Sequence, residues 1–178
     1  MESIKIQIPQ ELLNPAEMLH LEEDADLEVL RSGAETVRFD RPVHWSVDIT
    51  NTGGALLVIG KVGGIAEMDC ARCLEPASFS IVGDIEGYIL IDPASDMPDD
   101  LEGDEFEVLD ESKTIDLAPM IESALLLEIP RVPLCKDDCK GICAVCGQNR
   151  NIEECACDTD EPNDGSSNPF SVLKDYQF

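Results

Sequence analysis

The sequence predicts an α+β fold, an antiparallel β meander with one main helix followed by a cysteine-rich C-terminal module. Three observations predict it: alternating apolar residues from 37 to 90, a single helical spacing from 116 to 128, and eight cysteines in four close pairs. The pairs are Cys70 with Cys73, Cys135 with Cys139, Cys143 with Cys146, and Cys155 with Cys157. At 178 residues the chain is long enough for one body with a real core plus a small appendage.

Ile4, Ile6 and Ile8 alternate with polar residues and stop at Pro9, which reads as a short half-buried strand. Pro15 and the acids of 22–28 read as a turn and a solvated connection, docked weakly by Leu19, Leu27 and Leu30. Val43, Trp45, Val47 and Ile49 then share one strand face, and 50–54 has hairpin-turn composition. Residues 55–69 are a strand pair, or one long strand interrupted at Gly63-Gly64. Strand texture resumes at 77–91, which puts Cys70-Ala-Arg-Cys73 at a hairpin tip.

Residues 92–111 carry ten acids and no base, the composition of a solvated loop of poor order, with a short edge strand at 106–109. Asp116 can cap the helix, Pro119 lies in its first turn, and Pro130 and Pro133 end it. From Leu134 to Cys157 large hydrophobes are scarce, so metal rather than a core must hold the chain. The expected division is a body at 1–130 carrying the Cys70/Cys73 knuckle, a zinc module at 131–160 and a tail at 161–178.

Eight thiols make two tetrahedral four-cysteine zinc sites, because structural zinc takes four thiolates at about 2.3 Å. The expected partition is Cys70, Cys73, Cys135 and Cys139 in one site and Cys143, Cys146, Cys155 and Cys157 in the other. The alternative couples the Cys70 pair to Cys143 and Cys146, and a further one leaves Cys155-Ala-Cys157 as spectators. With no export signal in the sequence, the expected setting is cytoplasmic, where paired cysteines bind metal rather than form disulfides. No run approaches the roughly 18 apolar residues of a membrane span.

A formal charge of −26 repels phosphate backbones, so general RNA or DNA binding is not expected, and a basic protein partner is. Arg72, Arg131, Lys136, Lys140 and Arg150 lie in or beside the cysteine motifs. They compensate anionic metal-thiolate centres or, alternatively, touch RNA or a partner. His44, Ser46 and Asp48 share a strand face, but same-face neighbours stand roughly 7 Å apart, beyond hydrogen-bond reach, and form no triad. Asp69 and Glu75 flank the Cys70 pair and are expected to raise its thiol pKa, which argues against redox catalysis.

The ordered landmarks carry a resemblance. They are Cys70-Ala-Arg-Cys73-Leu-Glu-Pro76, Ile115-Asp-Leu117, Leu127-Glu-Ile-Pro-Arg-Val-Pro133, Leu134-Cys-Lys-Asp-Asp-Cys-Lys-Gly-Ile-Cys-Ala-Val-Cys-Gly147, Cys155-Ala-Cys157 and Asn168-Pro-Phe-Ser-Val-Leu173. Together they resemble the bacterial YceD family, the large ribosomal RNA subunit accumulation proteins, over nearly the whole chain. Ala144 stands where the family often has proline, and Arg150 where a leucine often separates two asparagines. The resemblance implies accumulation of 23S ribosomal RNA, through processing, stability or large-subunit assembly. Because the sequence shows no convergent cluster of ionisable residues, the factor is expected to be non-catalytic. The readings set against it are a catalytic RNA-processing factor and a zinc-stabilised adaptor unrelated to ribosomes.

Overall fold

The computed structural model describes residues 3–33, 35–92 and 106–157. Most of the acidic loop expected at 92–111, and the tail at 161–178, lie outside the described residues.

The strands are β1 (Lys5–Gln7), β2 (Met18–Ala25), β3 (Val29–Ser32), β4 (Glu35–Phe39), β5 (Val43–Asn51), β6 (Ala55–Asp69), β7 (Pro76–Leu90), β8 (Glu107–Val108) and β9 (Thr114–Asp116), followed by helix α1 (Ala118–Leu127). The β6–β7 hairpin is the spine, paired one to one from Ala55↔Leu90 to Asp69↔Pro76. On its other edge β6 holds β5 along 56–63 and then β4 at Ala66 and Glu67. β2 extends the sheet beyond β5, and β1 pairs apart with β9. The sheet is therefore antiparallel but branched, with the β3–β4 hairpin entering beside β5 rather than in a simple meander. Among the described residues only β8 runs parallel to its neighbour.

Alternation places Val43, Trp45, Val47 and Ile49 inside, with His44 and Asp48 out. Val58 and Val62 of β6 and Ile81, Ile85 and Ile89 of β7 join them in one core. α1 covers that face, burying Ile121, Ala124 and Leu125. Ten residues are too few for an independent helix, so burial of Ile121 and Leu125, about 2 kcal/mol each, is what holds it. The helix rides directly on β7: a Cβ at Gly83 would sit 2.3 Å from the Ala124 carbonyl oxygen.

Three expectations need correction. The acids of 22–25 are not a loop but the end of β2, because Leu19, Leu21 and Ala25 alternate inward while the acids point to solvent. Gly63-Gly64 does not interrupt β6; the strand runs unbroken, and a Cβ at Gly64 would lie 2.9 Å from a Val43 methyl. The helix begins at Ala118 with Leu117 as its cap. Asp116 still serves its N-terminus from within β9, accepting the Ala118 N–H at 3.1 Å and the Ile4 N–H at 2.9 Å. Among the described residues no helix is long and apolar enough to cross a membrane.

Candidate metal centres

Cys70 and Cys73 lie in the turn joining β6 to β7, where the long hairpin projects past the core. The Leu74 N–H closes the turn on the Cys70 carbonyl at 2.9 Å, with Leu74 itself at φ +63°. Residues 131–157 then fold against this tip, without regular strands or helices. Ala71 N–H donates to the Pro133 carbonyl at 2.8 Å, Ile142 N–H to the Arg72 carbonyl at 3.0 Å, and the Arg72 guanidinium to the Cys139 carbonyl at 3.0 Å. Gly141, at φ +71°, lets the chain pass the tip: a Cβ there would lie 3.0 Å from the Arg72 carbonyl oxygen. These contacts bring Cys135 and Cys139 over the Cys70 pair, with Cys70 Sγ 3.8 Å from Cys139 Sγ and Cys73 Sγ 3.5 Å from Cys135 Sγ.

The second turn repeats the first. Gly147 N–H closes on the Cys143 carbonyl at 2.9 Å, with Gly147 at φ +75°, and Val145 N–H points at Cys143 Sγ, 3.4 Å away. Cys155 and Cys157 are not in a strand and converge on this knuckle. The sulfurs of Cys70, Cys73, Cys135 and Cys139 all lie within 4.8 Å of one another, as do those of Cys143, Cys146, Cys155 and Cys157. Each group can hold a metal ion. The Cys70 pair is not grouped with Cys143 and Cys146.

The thiols within each group are electrostatically divided. Burial pushes Cys70 up, but N–H groups of Arg72, Cys135 and Cys73 outweigh it and bring the thiol down to about 6. N–H groups of Cys146 and Val145, with the Cys155 thiol, bring Cys143 to about 6 despite burial. Cys135, exposed but beside the Cys73 thiol, is pushed up to about 12, and Cys157, beside Cys146, likewise to about 12. The expectation that Asp69 and Glu75 raise the pair thus fails at Cys70, where backbone donors bring the thiol down. At Cys73 the Glu75 N–H pulls down, but burial and the Cys70 and Cys139 thiols, not the flanking carboxylates, leave the thiol raised. The donor chemistry fits zinc: four thiolates at 2.3 Å stand about 3.8 Å apart along a tetrahedron edge, close to the two sulfur separations in the first group.

Asn149 and Asn151 are the residues that sequence reasoning missed. Asn151 donates to Cys139 Sγ at 3.3 Å and accepts the Lys140 N–H at 2.9 Å, while Asn149 holds Asn151 and reaches Glu75 of the hairpin at 3.3 Å. Polar residues two apart beside a metal turn were the available signal. Of the five basic residues, Arg72 is spent on the join, Lys136 lies 3.8 Å from Asp138, Lys140 lies 3.5 Å from Glu154, and Arg131 and Arg150 are exposed. His44 and Asp48 make no triad; across the β2–β5 pairing His44 meets Asp24 at 2.9 Å and His20 meets Asp48 at 2.7 Å.

Residues 58–176 match the family described as "Large ribosomal RNA subunit accumulation protein YceD". A Zea mays protein named "Large ribosomal RNA subunit accumulation protein YCED homolog 1, chloroplastic" is 30% identical over 142 residues, covering 65% of this chain and 48% of its own length. Its Arabidopsis thaliana namesake is 29% identical over 149 residues, covering 70% and 46%. An uncharacterized Mycobacterium bovis protein is 36% identical over 121 residues, covering 66% and 56%. The chain thus spans about half the length of these curated relatives. No solved structure matches.

Proposed function

The chain belongs to the YceD family of large ribosomal RNA subunit accumulation proteins, and from that premise we propose that it is a non-catalytic zinc-binding factor supporting 23S ribosomal RNA accumulation. It would act through processing or stability of that RNA, or through assembly of the large subunit. The observation that carries this reading is that the family match runs from 58 to 176, across the long hairpin, α1 and both cysteine groups. Cys70, Cys73, Cys135 and Cys139 would hold one zinc and Cys143, Cys146, Cys155 and Cys157 the other. Zinc supplies a cross-link there; four thiolates leave no open position for a reacting water. The first centre would pin the module at 131–160 to the body at 1–130.

With a formal charge of −26, the direct partner in this reading is a basic ribosomal or assembly protein, and the effect on RNA is indirect. Arg131 and Arg150 are the basic side chains left for a partner or RNA at the module surface. The test is depletion followed by complementation. Loss of the protein should lower 23S relative to 16S RNA, and wild-type protein but not Cys73→Ser should restore it. An unchanged 23S to 16S ratio on depletion would sink the ribosomal reading; full rescue by Cys73→Ser would sink the zinc role.

A further inference from the structure

The outer edge of β7 is, among the described residues, unpaired over most of its length. Among the described residues β8 pairs with it only at Ile89 and Leu90, and no strand pairs with 76–88 on that side. Leu90 offers its carbonyl to the Leu109 N–H across this edge. A strand repeats every two residues and the β6–β7 register has no bulge, so Asp84, Glu86 and Tyr88 direct their N–H and C=O groups to the same edge. Bare edge groups of this kind are a template for another strand.

Beside that edge runs a groove of about 580 Å³, walled on one side by α1. Its apolar lining includes Tyr88, Met120 and Leu127, the last 83% exposed. Its charged lining is entirely acidic: Glu86, Glu107 and Glu128, with Asp84 already paired to Lys61. The residues between Asp92 and Phe106 are acidic too and carry no base, so they bring no charge complementary to the groove.

We propose that this edge and groove dock an extended basic segment of a partner protein by strand addition. This rests on, and deepens, the reading that the direct partner is a basic protein. Main-chain bonds to Asp84, Glu86 and Tyr88 supply register. Alternate side chains of the guest face two surfaces, so lysine or arginine would meet Glu86 and Glu107 while small apolar residues meet Met120 and Leu127. The segment recognised therefore alternates basic and apolar residues.

The experiment titrates the full zinc-loaded chain with a synthetic peptide of alternating lysine and valine, and with its glutamate-for-lysine counterpart. The lysine peptide should bind at least about tenfold tighter at low salt, and should slow amide exchange at Asp84, Glu86 and Tyr88. Glu86→Pro removes an outward N–H that the parent sheet does not use, so it should weaken binding by about tenfold or more while zinc content and melting stay unchanged. If that variant fails to fold, Glu86→Lys with Glu128→Lys takes its place and should weaken binding similarly.

Binding that ignores both variants, or protection elsewhere, would overturn the groove while leaving a basic partner standing. A lysine peptide that binds nowhere would overturn the basic-partner reading itself. Self-association abolished by Glu86→Pro, or edge amides freed by deleting 94–104, would assign the edge to a second copy or to the chain itself, and protein-free RNA protecting the same amides would assign it to RNA; each overturns the proposal.

Discussion

Leu74 and Gly147 occupy the same position in their two knuckles, and only one of them suits it. Each closes a turn with positive φ, +63° and +75°, a conformation that costs a side-chain-bearing residue roughly 1 to 2 kcal/mol and glycine little. Leu74 is 66% exposed, so its side chain returns little burial for that strain. Leu74→Gly should therefore stabilise the zinc-loaded protein by about 1 kcal/mol in denaturant unfolding, after the extra unfolded-state freedom of glycine is subtracted. Gly147→Leu should destabilise it by about 1 to 2 kcal/mol, since nothing lies within 4 Å to compensate or clash. Asp116 gives a prediction in pH. Partial burial pushes its carboxyl up, but the Ser3 hydroxyl, the Ala118 and Ile4 N–H groups and the Lys5 charge together hold it below 3.8. A depressed carboxyl adds stability above its unfolded pKa and loses it as pH falls through the folded value. Asp116→Asn should thus be less stable than wild type at pH 7, and the gap should close below pH 3.8 in paired denaturation curves.

At the scale of elements, the tightest fit is between β7 and α1. Since a Cβ on Gly83 would approach the Ala124 carbonyl oxygen to 2.3 Å, Gly83→Ala must lift the helix from the sheet. The expected cost is about 3 kcal/mol, read as a lowered denaturation midpoint. Gly63→Ala is the control, because its nearest neighbour would be 3.4 Å away and the strand should tolerate it. The same glycines mark where the sequence was legible and where it was not. Alternation named the buried face of β5, the β6–β7 hairpin and its cysteine tip, because half-buried strands carry a period of two in their own residues. It could not tell a glycine that breaks a strand from one that makes room for a neighbour, since that neighbour, Val43 against Gly64, comes from elsewhere in the chain. Nor did it find the end of β2. Glu22, Glu23 and Asp24 look like a solvated loop, and their strand character depends on pairing with Ser46, Trp45 and His44.

For the whole molecule, the cysteine pairs were legible from spacing, but spacing alone left two partitions open. The fold separates them because Pro133, Ile142 and the Arg72 guanidinium lash residues 133–142 to the hairpin tip, carrying Cys135 and Cys139 onto Cys70 and Cys73. Cys143, only four residues beyond Cys139, then turns outward to its own knuckle. This arrangement makes the two centres unequal, because the first joins distant parts of the chain and the second closes a local loop. If each group holds the proposed zinc, Cys73→Ser and Cys157→Ser should each release one ion, yet only the first breaks a cross-link between the hairpin tip and residues 131–157. Binding energy at such a centre is folding energy, so Cys73→Ser should loosen 131–157 as a unit. Cleavage there by a nonspecific protease should accelerate by about tenfold or more, a factor that takes only about 1.4 kcal/mol of lost protection. Cys157→Ser should expose the segment after Cys143 while leaving the Ala71 to Pro133 and Ile142 to Arg72 bonds in place, so cleavage before Cys139 stays near wild type. Equal cleavage patterns from the two variants would mean that the module folds as one block around both metals, and the pinning role would not belong to the first centre.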